Sequence, residues 1–406
     1  MIEIRATRNR PLGMPPTRFL SEYWQKKPLL IRGAFPDFYD PLTPNDLAGL
    51  ACEELALARL VVHDPRRDRW TLRSGPFAES DFARLPRRDW TVLVQDVDKW
   101  DADVAALLSH FDFLPAWRID DVMVSYAADG GSVGAHVDQY DVFLLQGLGR
   151  RRWRISADAD APRDFRDDAE LKLLRAFAPT HEWMLERGDM LYLPPGVPHH
   201  GVAVGECLTY SIGMRAPSMA DLLVDFADAF ADALPETSRY ADPDLRPAGD
   251  DGEIDAAAFA RARRAMLWLD VAEDARASAA DRPGTVDSAA FRRFFGRFIT
   301  RYRIAHAAMP RPRQISDAEF ARAFARDAEA VRNPWSRAAW MRVAGGAVLF
   351  VGGTEHDCSI AFARALSART PVALSKIRAR RDCDALRSLV DLGHVTLRAP
   401  RSRSRR

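Results

Sequence analysis

Cysteine is scarce in this chain, and the four that occur (Cys52, Cys207, Cys358 and Cys383) are never spaced as a CxxC pair. That pattern excludes a disulfide framework and a cysteine-built zinc site, and it suits a reducing compartment. Long apolar runs are missing too. No stretch approaches the ~20 residues of a membrane-spanning helix, and the opening MIEIRATRNRPLGMPP lacks the apolar heart of a signal peptide. A cytoplasmic protein with no membrane association is expected. An excess of charge is equally absent: 58 Lys and Arg stand against 57 Asp and Glu, a net charge of +1. Such a balance gives no whole-molecule attraction to nucleic acid, so direct nucleic-acid binding is not expected. Only the end departs from it, where Arg398, Arg401, Arg403, Arg405 and Arg406 form a basic tail. The tail reads either as a solvated terminus or as a contact for an RNA-rich particle.

What is present divides into three regions. At 406 residues and 47% hydrophobic content the chain is long enough for two or three domains with real cores. Residues 1–217 carry short β-branched and aromatic runs broken by Gly, Pro and Asp, as in an all-β barrel. Strands are expected at Pro28–Arg32, Trp90–Gln95, Val122–Tyr126, Val142–Gln146, Arg152–Ile155 and Met190–Leu193. Thr43, Pro44 and Asp46 mark a helix start. Residues 218–310 turn helical. Ser218 and Asp221 read as a capping box, followed by Leu222, Leu223, Phe226, Phe230 and Leu234 at helical spacing. A Pro-, Gly- and Asp-rich loop from Pro235 to Gly252 precedes more helical pattern at Phe291–Tyr302. This stripe suits core packing or a dimer interface. Residues 311–406 restart with a second capping box, Ser316 to Glu319. A strand at Ala347–Val351, helical pattern at Ile360–Ala368 and Ala385–Leu392, and a strand at His394–Leu397 suggest a winged-helix-like module without a basic recognition helix.

The segment Gly134-Ala-His136-Val-Asp138 carries the chemistry. Residues two apart on a strand project to one side, so His136 and Asp138 can grip one ion. A second segment, Gly188-Asp-Met-Leu-Tyr-Leu-Pro-Pro-Gly-Val-Pro-His199, runs a strand into a tight turn that returns a histidine towards that pair. A lone HxD is weak; the second segment is far more restrictive. Two imidazoles and a carboxylate leave open positions on the metal, as non-haem Fe(II) oxygenases require. Zinc competes, but a closed structural zinc site would want a fourth protein ligand. His200 is adjacent to His199 and only one can point inward; the turn assigns that place to His199. His63, His110, His181, His306, His356 and His394 have no ligand-like spacing. In the run Arg150-Arg-Arg152, alternation turns Arg151 opposite to its neighbours. A guanidinium inside the barrel can hold a carboxylate bidentately, and Ser125 on the preceding strand can add a hydroxyl.

At these residues the sequence resembles the bacterial JmjC-domain ribosomal oxygenases. The likeness is carried by YWQKKPLLIRGAF, GAHVDQYDVFLLQGLGRRRWRI, YLPPGVPHHG and YSIGMRAP. It implies a cupin/JmjC double-stranded β-helix (jelly roll), a helical dimerisation region and a winged-helix end. It implies Fe(II) on His136, Asp138 and His199, with 2-oxoglutarate, O2 as the other cosubstrate, and Arg151 and Ser125 on the 2-oxoglutarate. The implied reaction is hydroxylation of an arginine β-carbon on ribosomal protein sixteen of the large subunit, by a homodimeric enzyme. Asp129 falls where the family places an acidic group near the substrate arginine, and Tyr140 could add ring stacking. His200 departs from the pattern, which expects a glutamate there. A JmjC demethylase, a hydroxylase of another residue or protein, and a non-catalytic cupin regulator remain alternatives.

Overall fold

The computed structural model describes residues 2–7, 11–232, 236, 239, 241–243, 245, 256–266, 288–302, 313–368 and 370–399. The chain divides into two compact units, Met1–Ala216 and Pro217–Arg406. The architecture is mixed α/β.

In the first unit the strands are β1 (Glu3–Arg5), β2 (Leu29–Arg32), β3 (Ala58–Asp64), β4 (Arg69–Ser74), β5 (Trp90–Val94), β6 (Ile119–Ala127), β7 (Val142–Gln146), β8 (Arg150–Ile155), β9 (His181–Leu185), β10 (Met190–Leu193), β11 (His199–Val204) and β12 (Cys207–Met214). The helices are α1 (Pro16–Glu22), α2 (Pro44–Ala51), α3 (Glu79–Ala83), α4 (Val97–Trp100) and α5 (Ala102–Ala106). Nine strands form one sheet in the order β1-β2-β10-β7-β12-β6-β5-β3-β4, and β11-β8-β9 form a second. The large sheet is covered on both faces. Leu30, Leu144 and Leu191 point one way, into a cluster shared with Trp153, Ile155 and Leu185 of the small sheet. Leu29, Ile31, Phe143, Leu145 and Tyr192 point the other way, into a second cluster with Phe19, Leu47 and Leu108. Double burial explains why β7 reads as a continuous apolar run with no polar alternation. Thr43 caps α2 as expected, its hydroxyl accepting the Asp46 backbone N–H.

The second unit contains α6 (Met219–Ala231), α7 (Ala256–Met266), α8 (Ser288–Thr300), α9 (Asp317–Ala325), β13 (Glu329–Arg332), β14 (Ala338–Val343), β15 (Gly346–Val351), β16 (Thr354–Cys358), α10 (Ile360–Ser367), β17 (Val372–Ala373), α11 (Arg380–Asp391) and β18 (Val395–Arg398). Strands β14-β15-β16 make one sheet and β17-β13-β18 another. Ala347, Leu349 and Val351 pack with Phe362 of α10 and with Leu386 and Leu389 of α11. The opposite face of β15 takes α8, where Phe350 lies against Gly296. Arg293 and Arg297 of α8 reach Glu355 of β16 at 2.9 and 2.8 Å. The expected line at residue 311 therefore falls after a helix that packs on this module's sheet. Among the described residues, no helix is long and apolar enough to cross a membrane.

Several expected boundaries move. His394 belongs to the turn after α11, its N–H donating to Leu389 O, so the last strand begins at Val395. Helix α11 starts at Arg380 rather than Ala385, because its polar first turn shows no apolar period. Helix α8 ends at Thr300, short of Tyr302. Ser218 caps α6 through the Asp221 N–H, as Ser316 caps α9 through that of Glu319. Phe226 is buried against Phe291 and Phe294, whereas Met219, Leu223 and Val224 are exposed. Leu234, His306 and most of Pro235–Gly252 lie outside the described residues.

A methyl group at Gly296 would sit 2.4 Å from the Phe350 ring, which is itself buried. Overpacking of this kind costs about 1–3 kcal/mol, more than the ~1 kcal/mol of helix propensity that alanine gains. Gly296→Ala is expected to lower the urea midpoint of the second unit; an unchanged midpoint would mean that α8 does not seat there.

Candidate metal centre

The segment around His136 is not a regular strand. Only one bridge forms, with His136 N–H donating to His199 O and His199 N–H donating to His136 O, both at 3.0 Å. This bridge joins the HxD segment to the first residue of β11, so the two histidines face each other with ring centroids 4.2 Å apart. Gly134 enters the segment with φ +80°, and a Cβ there would strike Leu173 at 2.4 Å, so only glycine admits this approach. The Pro-Pro-Gly turn closes on the same place: Gly196 N–H donates to Asp138 O at 2.7 Å. The potential donor atoms of His136, Asp138 and His199 all lie within 4.8 Å of one another. His199 Nε2 is 3.6 Å from Asp138 Oδ2, and His136 Nε2 is 4.0 Å from it.

The outer partners of the histidines fix their chemistry. His136 Nδ1 lies 3.0 Å from Gly134 O, and His199 Nδ1 lies 2.9 Å from Val197 O. A carbonyl can only accept, so in the neutral rings each Nδ1 carries the proton and each Nε2 offers its lone pair. Burial, aided by the nearby His136, pushes the His199 imidazolium down, which favours the neutral form a ligand needs. His200 points the other way on β11, its Nδ1 3.0 Å from Arg154 Nη2. Burial and Arg154 push its ring down to about 4. The structure thus brings His199 to the cluster and leaves His200 outside it.

The three donors line a cavity together with Arg151, Ser125 and Tyr140. Strand β8 alternates as expected: Arg150 and Arg152 are exposed, and Arg151 is buried at 5% exposure. Its Nε and Nη2 are buried without a hydrogen-bond partner. A buried guanidinium left this way is costly, and a carboxylate is the ligand that satisfies a planar fork. Ser125 is buried and lines the same cavity, while Tyr140, also lining it, is 41% exposed.

Asp129 is not brought to this cavity. Its exposed carboxylate accepts the Gly205 N–H and faces Arg88 at 3.4 Å. The sequence reading missed Asp121, which does line the cavity. Burial, then Asp96, raise its carboxyl to about 7 against the pull of Lys99. Lys99 is itself buried, 2.7 Å from Asp96 and 3.2 Å from Asp98. Side by side, Asp120 and Asp121 look like solvent residues, and nothing local signals that one is enclosed. Thr209, opposite Ser125 in the register, and Ser211 were missed for the same reason.

The comparisons agree with this geometry. A JmjC domain profile matches residues 106–222, and a ROXA-like winged helix profile matches residues 279–396. The ribosomal protein uL16 3-hydroxylase of Escherichia coli is 39% identical over 251 residues, 62% of this chain and 66% of that protein. A probable ribosomal oxygenase of Haemophilus influenzae is 39% identical over 236 residues, 58% of this chain and 56% of that protein. These alignments therefore span just under two thirds, and little more than half, of those two relatives. The crystal structure of the E. coli ribosomal oxygenase YcfD superposes with a TM-score of 0.76 at 32% identity, covering 95% of this chain and 98% of that one. This chain belongs to the bacterial JmjC-domain ribosomal oxygenase family. Further YcfD structures, one with cobalt and 2-oxoglutarate and one with cobalt and succinic acid, superpose equally well.

Next to the ligand cluster, this ribosomal oxygenase buries a node built on Asp141, whose side chain is fully enclosed. Its Oδ1 accepts the Tyr192 hydroxyl at 2.6 Å; its Oδ2 accepts Gln25 Nε2 at 2.9 Å and Arg118 Nη2 at 3.2 Å. Removing one partner of a buried charged set costs about 3–5 kcal/mol. Asp141→Ala is expected to show a loss of that size in chemical denaturation, and a loss within ±0.5 kcal/mol would remove the node from the argument. Asp121 gives a pH signature. Between the ordinary carboxylate range and about pH 7 the folded chain holds a proton that the unfolded chain releases. Its contribution to stability therefore falls as pH rises through that window, and Asp121→Asn should flatten the slope.

Proposed function

We propose that this chain is an Fe(II)- and 2-oxoglutarate-dependent oxygenase that hydroxylates an arginine side chain, at its β-carbon, in large-subunit ribosomal protein uL16. The observation that carries the reading is the convergence of His136, Asp138 and His199 in one cavity with a buried guanidinium that has no partner. Two imidazoles and a carboxylate without a fourth protein donor suit an open Fe(II) site. The uL16 target and the 3-position come from the name of the relative given above, and the arginine from the family resemblance. The two sheets, sharing one apolar cluster, support a double-stranded β-helix. Free cysteines support a cytoplasmic setting.

In this reading His136 and His199 present Nε2 lone pairs held in direction by their carbonyl-bound Nδ1 atoms, and Asp138 supplies the anionic ligand. With 2-oxoglutarate and O2, bound Fe(II) supplies the oxidising power, the cosubstrate leaving as succinate and CO2 while a C–H bond becomes C–OH. Arg151 holds the far carboxylate of the cosubstrate, and Ser125 adds a hydroxyl. Val142, Leu144 and Trp153 keep the cavity dry. Besides Asp138, Asp121 is the cavity's one lining carboxylate among the described residues. It is therefore better placed than Asp129 to receive a cationic side chain, with Tyr140 at the edge to stack on it.

The deciding experiment incubates the protein with Fe(II), 2-oxoglutarate and uL16. A stable gain of one oxygen on an arginine is expected; formaldehyde release would make the enzyme a demethylase instead. His136→Ala, Asp138→Ala and His199→Ala are expected to abolish turnover with the fold retained, and His200→Ala to be much milder. Losing a buried charged hydrogen bond costs about 1.5–3 kcal/mol, so Arg151→Ala should weaken 2-oxoglutarate roughly ten- to hundred-fold. Arg151→Lys should recover part of this, and Arg150→Ala and Arg152→Ala should bind like the parent. The reverse ranking would place the register off by one.

The helical region after Ser218 supports a homodimer, because α6 leaves Met219, Leu223 and Val224 exposed, as α7 leaves Phe259. Leu223→Glu is expected to shift the light-scattering mass from dimer to monomer. A parent that is monomeric at micromolar concentration would sink the idea.

A further inference from the structure

We propose that residues 156–180, between β8 and β9, form a strap that holds the metal-ligand segments in place, with Arg163 and Arg166 as its positioning residues. The inference rests on the metal centre described above and concerns how its geometry is kept. Strands β8 and β9 are antiparallel neighbours, and Ile155 pairs with His181 at their ends. Two residues can close such a hairpin, so closure alone does not require the long connection. Its base is held together by Thr180, whose N–H donates to Ile155 O and whose hydroxyl accepts the Ala157 N–H, both at 2.8 Å. Farther out the segment folds on itself. Phe165 and Leu174 form a bridge, with Arg166 N–H donating to Leu173 O and Arg175 N–H to Asp164 O, both at 2.8 Å.

The folded strap reaches both ligand segments at corresponding points. His136 is aimed by the Gly134 carbonyl and His199 by the Val197 carbonyl. The strap bonds the carbonyl next to each. Leu174 N–H donates to Ala135 O at 2.8 Å, and Arg163 Nε donates to Gly196 O at 3.0 Å. Gly196 is also the residue whose N–H holds Asp138 O. Arg163 therefore bears on the carboxylate ligand as well as on His199. Leu173 and Leu174 are both buried and anchor the strap by their apolar surface.

Arg166 closes the arrangement from the far side. The cradle of Gly134 has two walls: Leu173 from the strap, and Trp70 from β4, whose ring would stand 3.3 Å from an added Cβ. These walls come from segments far apart in sequence, and Arg166 joins them. Its Nη1 donates to Asp68 Oδ2 at 2.7 Å and its Nη2 to Asp68 O at 3.3 Å, in the turn that leads into β4. Asp68 Oδ1 in turn accepts Trp70 Nε1 at 3.3 Å, so wall and tie belong to one network. Asp168 keeps the guanidinium in direction, accepting from Nε at 2.9 Å and from Nη2 at 2.7 Å. Ion pairs this close to solvent add little to global stability. What they fix here is direction, and groups behind a metal's ligands tune its affinity.

The test is binding of cobalt(II) alone to the metal-free full chain, the ion present in two of the YcfD structures. It is read by calorimetry and by the visible absorption of the bound ion, which reports ligand geometry. Arg163→Ala/Arg166→Ala is expected to weaken cobalt about tenfold, the lower end for losses behind metal ligands, and to alter the absorption band. Its thermal midpoint without metal should stay with the parent's. Arg163→Lys/Arg166→Lys keeps a donor at each place and should recover most of the affinity and the band. Arg175→Ala is the control on the same strap, since its guanidinium bonds Phe165 O and Asp167 within it. This control should bind cobalt like the parent. An equal loss in Arg175→Ala overturns the positioning roles, as does a loss that the lysine pair does not restore. A parent that binds no cobalt sinks the metal centre, and the strap with it. A parent that binds cobalt no better than the alanine pair sinks the strap alone.

Discussion

The first unit is organised around a buried carboxylate. Asp141 sits three residues beyond Asp138, fully enclosed, and gathers hydrogen bonds from residues that the sequence sets far apart. Tyr192 lies on β10, the strand that runs into the Pro-Pro-Gly turn and on to His199. Gln25 follows α1, and its backbone N–H donates to the Tyr192 hydroxyl at 2.8 Å. Arg118 leads into β6, the strand of Asp121 and Ser125. The Asp141 carbonyl accepts Met214 N–H at the end of β12. A lone buried charge would be far too costly to keep; three donors make it tolerable, and each donor is thereby fixed to a different part of the sheet. The ligand-bearing segments inherit their mutual position from that constraint.

Around this node the site divides its tasks between rigid and open parts. The histidine donors are aimed by backbone carbonyls, not by other side chains, so their direction is set by the loops at Gly134 and Val197. Arg151 is held only by strand alternation and by Trp153, 5.7 Å away under its guanidinium. Its vacancy of partners is the opposite of Asp141's abundance. One buried charge is saturated by protein and serves structure; the other is left unsatisfied and, in the proposed function, serves binding.

Much of this was legible in sequence, for local reasons. Strand alternation alone separated Arg151 from Arg150 and Arg152, and a doubly covered strand had to look like Val142–Gln146. The turn before His199 announced itself by residues that fit only a tight return. What stayed hidden depended on distant segments. Whether Asp129 or Asp121 meets the cavity is decided by Gly205 and Arg88 on one side and by the Asp96–Lys99 segment on the other. None of these is a neighbour in sequence. Helix α8 packs on β15 because Gly296 admits Phe350, which a helical pattern cannot reveal.

Asp121 also couples the chemistry of the cavity to its surroundings. A carboxyl that titrates near 7 is only partly ionised in a neutral cell. In the proposed function a guanidinium arriving beside it stabilises the anion, so occupancy of the pocket would expel a fraction of a proton. Binding heat would then vary with the ionisation enthalpy of the buffer, and a neutral side chain of similar shape would produce no such dependence. A single enclosed acid thereby makes recognition of charge a proton-coupled event.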